Sequence, residues 1–218
     1  FAWNDLKVFR PINGAFIREL AFRMQPGKTS ADDHIVAEML HQLDEDLFDA
    51  IANAFTLRLL DHPTEDEETA WDLQNLNLIK KRVRAIMVKD FRPIAILPVL
   101  QKLYALMLLS LTKEKCDSLV APQFAFRKMH QAHEPIFIIR QIIEKAIEWS
   151  QTVFILDGDI RKAYDYTKHN RMIEALQGKK VENVLVAAII REVRRAKTKV
   201  IDDKVTATNP IGRTRSAP

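Results

Sequence analysis

Two spacings of apolar residues organise this chain. Between Asp32 and Leu60, Ile35, Val36, Met39, Leu40, Leu43, Leu47, Ile51, Phe55 and Leu59 recur at helical intervals. They predict one amphipathic helix, with Ser30 available to cap its start. Leu100, Leu103, Leu106, Met107 and Leu111 predict a second helix over residues 99–119. Pro135 suits the first turn of a third, running to about Trp149, whose apolar stripe over 136–147 reads as core. Two shorter helices follow, over 166–176 with Gly178 as terminator and over 181–195. Strand patterns are briefer. Leu76 to Ile79 reads as a strand, with Ile86 to Val88 as its hairpin partner, and Val153 to Leu156 reads as a buried strand. Residues 199–206 read as a β-hairpin with a polar tip. Two prolines make Arg92 to Pro98 extended or turn-like. The acidic stretch Asp61 to Asp72 and the segment Gln123 to Arg127 read as connections, the latter as loop or strand. Helices mixed with short strands in this order predict an α+β or α/β protein.

Composition narrows this little. The 218 residues are 47% apolar and 28% charged, which suits one or two globular domains. No apolar run is long enough to cross a bilayer without a charge or proline breaking it. The first residues, Phe1-Ala-Trp-Asn-Asp, form neither an initiator nor a signal peptide. Both termini read as cut ends within a longer polypeptide. A single cysteine, Cys116, excludes an internal disulfide and a cysteine-rich zinc site, and suits an intracellular packing residue. His34, His41, His62, His130 and His133 lack zinc-ligand spacing, and Trp3, Trp71 and Trp149 read as packing residues.

Charge changes the picture through its distribution rather than its net value of +4. Lys80, Lys81, Arg82, Arg84, Lys89 and Arg92 form one basic cluster, and Arg191, Arg194, Arg195, Lys197 and Lys199 a second. Such clusters suit phosphate or nucleic acid, and equally a solvated helix face.

The densest chemistry lies in Phe154-Ile-Leu-Asp-Gly-Asp159-Ile-Arg-Lys-Ala-Tyr164-Asp165. On a strand, Asp157 and Asp159 face one side. Two carboxylates side by side there suit a hard divalent ion such as Mg²⁺. A solvated turn around Gly158 accounts for the same spacing, and spacing alone leaves both readings open.

Asp159, Lys162, Ala163, Tyr164 and Asp165, with His169 shortly after, resemble the first catalytic motif of reverse transcriptases. The Lys-Ala-Tyr-Asp side is similar to non-LTR (LINE-type) retrotransposon enzymes, and Asp-Gly-Asp-Ile to group II intron enzymes. Upstream, Asp90-Phe-Arg-Pro-Ile resembles the family's Tyr-Arg-Pro-Ile fingers segment, and Leu78-Ile-Lys-Lys81 its Leu-Ile-Pro-Lys strand end. Gln123-Phe-Ala-Phe-Arg127 resembles Gln-x-Gly-Phe-Arg, which borders the template, with Ala125 where glycine is usual. Asp33-His-Ile35 is similar to an early Asp-Gly-Ile, and Ile211 to Pro218 to the lead-in of a Gln-Gly-Asp/Ser-Pro motif. Val200-Ile-Asp-Asp203 mimics the family's aromatic-x-Asp-Asp pair but stands on the wrong side of that lead-in.

The resemblance implies the fingers and first part of the palm of a right-hand polymerase, α+β overall. Residues 1–75 would be an N-terminal helical segment, 76–150 the fingers and 151–218 the start of the palm. It implies RNA-directed DNA synthesis on an RNA template from a DNA primer, using dNTPs and Mg²⁺ in two-metal nucleotidyl transfer. Asp159 would be the catalytic metal ligand, Lys81 and Arg92 the triphosphate contacts, Tyr164 the gate against a ribose 2′-OH, and Arg127 a template contact. The role of Asp157 stays open, and Asp165 suits a helix cap. The parent protein would act inside the cell, in the nucleus, with no membrane partner. Lacking the paired-aspartate motif, these residues alone are expected not to polymerise. The alternatives are a group II intron-type maturase, an RNA-templated RNA polymerase, which Tyr164 argues against, and a non-catalytic remnant that binds nucleic acid.

Overall fold

The computed structural model describes residues 12–60, 71, 73–81, 83–84, 86–87, 90–117, 122–127, 129–160, 163, 166–202 and 205–209. The architecture is mixed α/β. Among the described residues seven helices can be followed: α1 (Gly14–Phe22), α2 (Ala37–Leu40), α3 (Glu45–Leu59), α4 (Val99–Cys116), α5 (His133–Glu148), α6 (His169–Gly178) and α7 (Asn183–Arg195). Four strands, β1 (Leu73–Lys80), β2 (Phe91–Ile96), β3 (Lys197–Asp202) and β4 (Val205–Asn209), form one sheet in the order β2-β1-β3-β4. No described helix is long and apolar enough to cross a membrane.

The single helix expected over 32–60 is two helices. Asp44 accepts a 2.9 Å hydrogen bond from the Leu47 N–H and so starts α3 afresh, a role the sequence reading gave to Ser30 further upstream. Glu45 and Asp46 in the first turn and Arg58 in the last suit the helix dipole. Asn13 caps α1 in the same way, accepting from the Phe16 N–H at 2.9 Å.

Helices α1, α3, α4 and α7 share the hydrophobic core. Ile17 and Leu20, Phe48 and Phe55, Leu103 and Met107, and Leu185 and Ala188 interdigitate there. At Gly14 helix α1 touches α3 so closely that the Asp49 carboxylate accepts the Gly14 N–H at 2.8 Å. A Cβ on residue 14 would stand 2.8 Å from the Asp49 backbone nitrogen, so only glycine fits.

The charged residue Arg58 lies inside this core. Arg58 is 1% exposed and grips Glu192 of α7 with two hydrogen bonds, 2.9 Å from Nε and 3.0 Å from Nη2. Its guanidinium lies 4.4 Å from the Trp71 ring centroid and 5.7 Å from that of Tyr104. Arg191 donates to the Arg58 carbonyl. A buried arginine persists only when paired and hydrogen-bonded, and this pair joins α3 to α7. Burial, and next the negative charge of Glu192, push the Tyr104 hydroxyl up to about 12.

Strand β1 pairs antiparallel with β2, Lys80 facing Phe91 and Ile79 facing Arg92. The hairpin partner was expected at Ile86 to Val88, of which Val88 lies outside the described residues; β1 pairs instead with Phe91–Ile96. The cause is local: the buried Asp90 carboxylate accepts from the Ile86 and Met87 N–H groups, at 3.3 and 3.1 Å, and turns this stretch into the connection. Pro93 is tolerated because β2 is an edge strand. The C-terminal hairpin forms as expected, from β3 and β4, and β3 adds parallel to β1. Residues 203 and 204 at its tip lie outside the described residues.

Two further expectations are corrected. Residues 153–156 form no strand and are exposed, from 42% at Val153 to 98% at Leu156. An apolar run becomes a buried strand only where another strand accepts its ladder and a layer covers it. The four described strands pair with one another and not with this run. The stripe on α5 is not core either, since α5 has no buried residue. Trp149 at its end is 63% exposed, whereas Trp71 packs edge-on against Phe55. Trp3 lies outside the described residues.

Candidate nucleotide and nucleic-acid interface

The first basic cluster occupies one end of the β1–β2 hairpin. The ladder continues past Lys80, with the Lys81 N–H donating to the Asp90 carbonyl at 2.8 Å. Arg92 lies opposite Ile79, so Lys81 and Arg92 are diagonal neighbours across the two strands. Diagonal positions on one face lie about 7–8 Å apart at the backbone. Lys80, Lys81, Arg84 and Arg92 are all exposed, so the hairpin end is cationic. Arg82 and Lys89, from the same cluster, lie outside the described residues.

The second basic cluster behaves differently. Arg191 turns inward onto the Arg58 carbonyl, with 11% of its side chain exposed. Arg194 is exposed and stands near His169, the first residue of α6. Burial, and then the Arg194 charge, lower the His169 pKa below its ordinary value, which favours the neutral ring.

Asp157 and Asp159 lie in the irregular stretch 151–160, every residue of which is exposed. Carboxylates suit Mg²⁺ chemically, but no group of three or more His, Cys, Asp or Glu able to hold a metal occurs among the described residues. Tyr164, Asp165 and Lys162 lie outside the described residues.

Arg127 sits in the loop before α5, where its Nη1 donates to the Gln123 carbonyl at 3.2 Å. Gln123 in turn donates to the Ala125 carbonyl at 3.1 Å. Glu134 ties the loop to α5. One oxygen accepts the Gln131 N–H at 2.8 Å and the other meets His130 Nδ1 at 2.8 Å. The Gln131 N–H and then His130 hold the Glu134 carboxyl below its ordinary pKa. Sequence reasoning passed over the acidic partner that His130 finds one helical turn away. It also passed over Phe126 and Met129, whose backbones are left-handed at φ 63° and 66°. No glycine or asparagine marks these turns, so the sequence carries no signal for them.

Lys81 and Arg92 are thus brought together, Arg127 is fixed in a separate loop, and Asp159 stands in water. The chain matches no protein-family model and no curated protein.

Proposed function

We propose that this chain carries the fingers and the first part of the palm of a right-hand polymerase, the RNA-directed DNA polymerase of a non-LTR retroelement. The observation that carries this reading is the β1–β2 register. It pairs the strand ending in Leu78-Ile-Lys80, just before Lys81, with the strand beginning Phe91-Arg-Pro-Ile, so that Lys81 and Arg92 share one cationic hairpin end. A lysine ammonium and an arginine fork at this spacing suit neighbouring phosphates of one triphosphate. Lys81 and Arg92 would bind and orient the dNTP and offset charge developing on its phosphates. Asp159 would approach the reacting centre from 151–160, Tyr164 would exclude a 2′-OH, and Arg127 would hold the RNA template opposite a DNA primer. Mg²⁺, when bound, would acidify the primer 3′-OH and neutralise the phosphates. The 218 residues alone would bind nucleotide without extending a primer, because no second carboxylate motif follows in the family's order.

The test is dNTP affinity in the presence of annealed primer and template. Lys81→Ala and Arg92→Ala each lower it about tenfold, the scale of one charged hydrogen bond, and Arg92→Lys recovers only part. A double variant that binds as tightly as the wild type refutes the reading. A second reading, a remnant that binds nucleic acid without catalysis, is favoured by the complete exposure of 151–160. It predicts that Asp159→Asn leaves dNTP and Mg²⁺ affinity unchanged.

A further inference from the structure

A groove of about 410 Å³ runs between α4 and the chain that joins α1 to α2. Met24, Ala105, Leu106 and Leu109 give it an apolar lining, and each wall contributes one lysine, Lys28 and Lys102. On α4, Lys102, Ala105, Leu106 and Leu109 fall at i, i+3, i+4 and i+7, one stripe along about two turns. Ala105 is the small residue of that stripe, so the surface dips beside the leucines. Leu109 is 59% exposed, and the groove is open to water along the helix. The facing wall is held in place. The Met24 N–H donates to the Ala21 carbonyl at 3.0 Å, and the Gly27 N–H donates to the Glu38 carboxylate of α2 at 2.6 Å. Gly27 takes a left-handed backbone, φ 72°, where the chain turns into Lys28.

The charge of this groove is one-sided. No aspartate or glutamate lines it among the described residues, and neither lysine forms an ion pair there, whereas Arg18, Arg23 and Lys115 each meet a glutamate. Helix α4 starts at Val99, in the same groove, with no capping side chain and no acidic residue in its first turn. The positive end of its dipole therefore adds to the two ammonium groups. We infer that the groove docks a short, acidic amphipathic helix of a protein partner. The partner's apolar face lies on Ala105, Leu106 and Leu109, and its flanking carboxylates meet Lys28 and Lys102. Helix-in-groove recognition uses apolar anchors at this spacing, and opposite charge at the rim sets the choice of partner. A single nucleic-acid strand fits less well, because no aromatic ring lines the groove for a base to stack on. A small-molecule acid is buried over most of its surface in its pocket, which an open groove does not provide. The inference stands apart from the polymerase reading, which it neither uses nor extends.

The test is fluorescence anisotropy with the 218-residue chain. The probe is a labelled helical peptide with leucines at i, i+3, i+4 and i+7 and glutamates on both flanks, and a second peptide carries lysines in place of the glutamates. The glutamate peptide binds, more weakly as salt is added, and the lysine peptide binds at least about tenfold less tightly. Lys28→Glu and Lys102→Glu each cost about fivefold, the upper range for one exposed ion pair. The double variant prefers the lysine peptide. Leu109→Ser costs about tenfold, the scale of one half-buried leucine. None of these substitutions changes dNTP affinity, so this inference and the Lys81 and Arg92 reading fail separately. Absence of peptide binding by the wild type, or equal affinity for the two peptides, overturns the inference. Binding that survives the double variant and is lost in Ile143→Glu places the peptide on α5 and overturns it too. Loss of single-stranded RNA binding in the double variant, with peptide binding unchanged, overturns it in favour of a nucleic-acid contact.

Discussion

Helices α7 and α5 are both amphipathic, and their fates differ. In α7, Leu185, Val186, Ala188 and Ile190 are buried against α3, α4 and α6. In α5, Ile136, Phe137, Ile139, Ile142, Ile143 and Ile147 remain exposed, Ile147 by 74%. The richer apolar stripe belongs to the less buried helix. Periodicity therefore says which face of a helix is fit to be covered, and a separate segment decides whether it is. Helix α7 has that segment, with Glu192 gripping Arg58 across the core.

The comparison is broken most severely at this grip. Glu192→Ala leaves the Arg58 guanidinium buried beside Trp71 without its carboxylate and costs about 3–5 kcal/mol, the scale for one partner of a buried pair. Urea unfolding of the variant measures it. Glu192→Gln, which keeps the shape and half the acceptors, loses less. A cost below 1 kcal/mol in the alanine variant means that α7 is held by its apolar face alone.

Alkaline pH is a second probe of the same core. Tyr104 has its hydroxyl raised from 10.0 to about 12. The neutral phenol is favoured in the folded state, so its contribution is complete below about pH 10. Between pH 10 and 12 the unfolded chain loses a proton that the folded chain keeps, and stability falls. The decline ends near 12, when the folded group ionises too. It amounts to at most about 2–3 kcal/mol for a shift of this size. Tyr104→Phe removes this component, so the two proteins' unfolding midpoints diverge across that window and run parallel below it.

A smaller effect is expected where α1 meets α3. Gly14→Ala inserts a methyl group against the Asp49 backbone nitrogen and costs about 1–3 kcal/mol, the range for overpacking. A thermal midpoint unchanged by the substitution shows that α1 shifts freely on α3. The smallest effect belongs to α5. Ile143→Ala or Ile147→Ala changes stability by less than about 0.5 kcal/mol, as surface substitutions do. A loss above 2 kcal/mol at Ile143 in the 218-residue chain means that a covering surface meets α5 in solution, and the contrast with α7 disappears.

The candidate site was legible in proportion to how local its parts are. Lys81 and Arg92 were picked from short patterns, and the strand that leads into Lys81 was read in part, over Leu76 to Ile79 of Leu73–Lys80, but the Asp90 turn that selects Phe91–Ile96 as its partner was not. Residues 153–156, which lead towards Asp159, were read as a strand from their apolar side chains, yet strand formation depends on a neighbour that the run itself does not contain. Arg127 was read from its motif, while the left-handed backbones of Phe126 and Met129 arise from bonds closing the whole loop.

By itself the sequence determined the positions of most helices, the C-terminal hairpin, the two basic clusters and the mixed α/β class. These follow from side-chain spacing and backbone preference, which act over a few residues. The tertiary structure alone decided that Arg58 finds Glu192 134 positions away, that β1 takes β3 as its parallel neighbour, and that α7 is covered while α5 is not. Desolvation is the reason: removing a side chain or a peptide group from water requires a second surface, and that surface comes from distant parts of the chain.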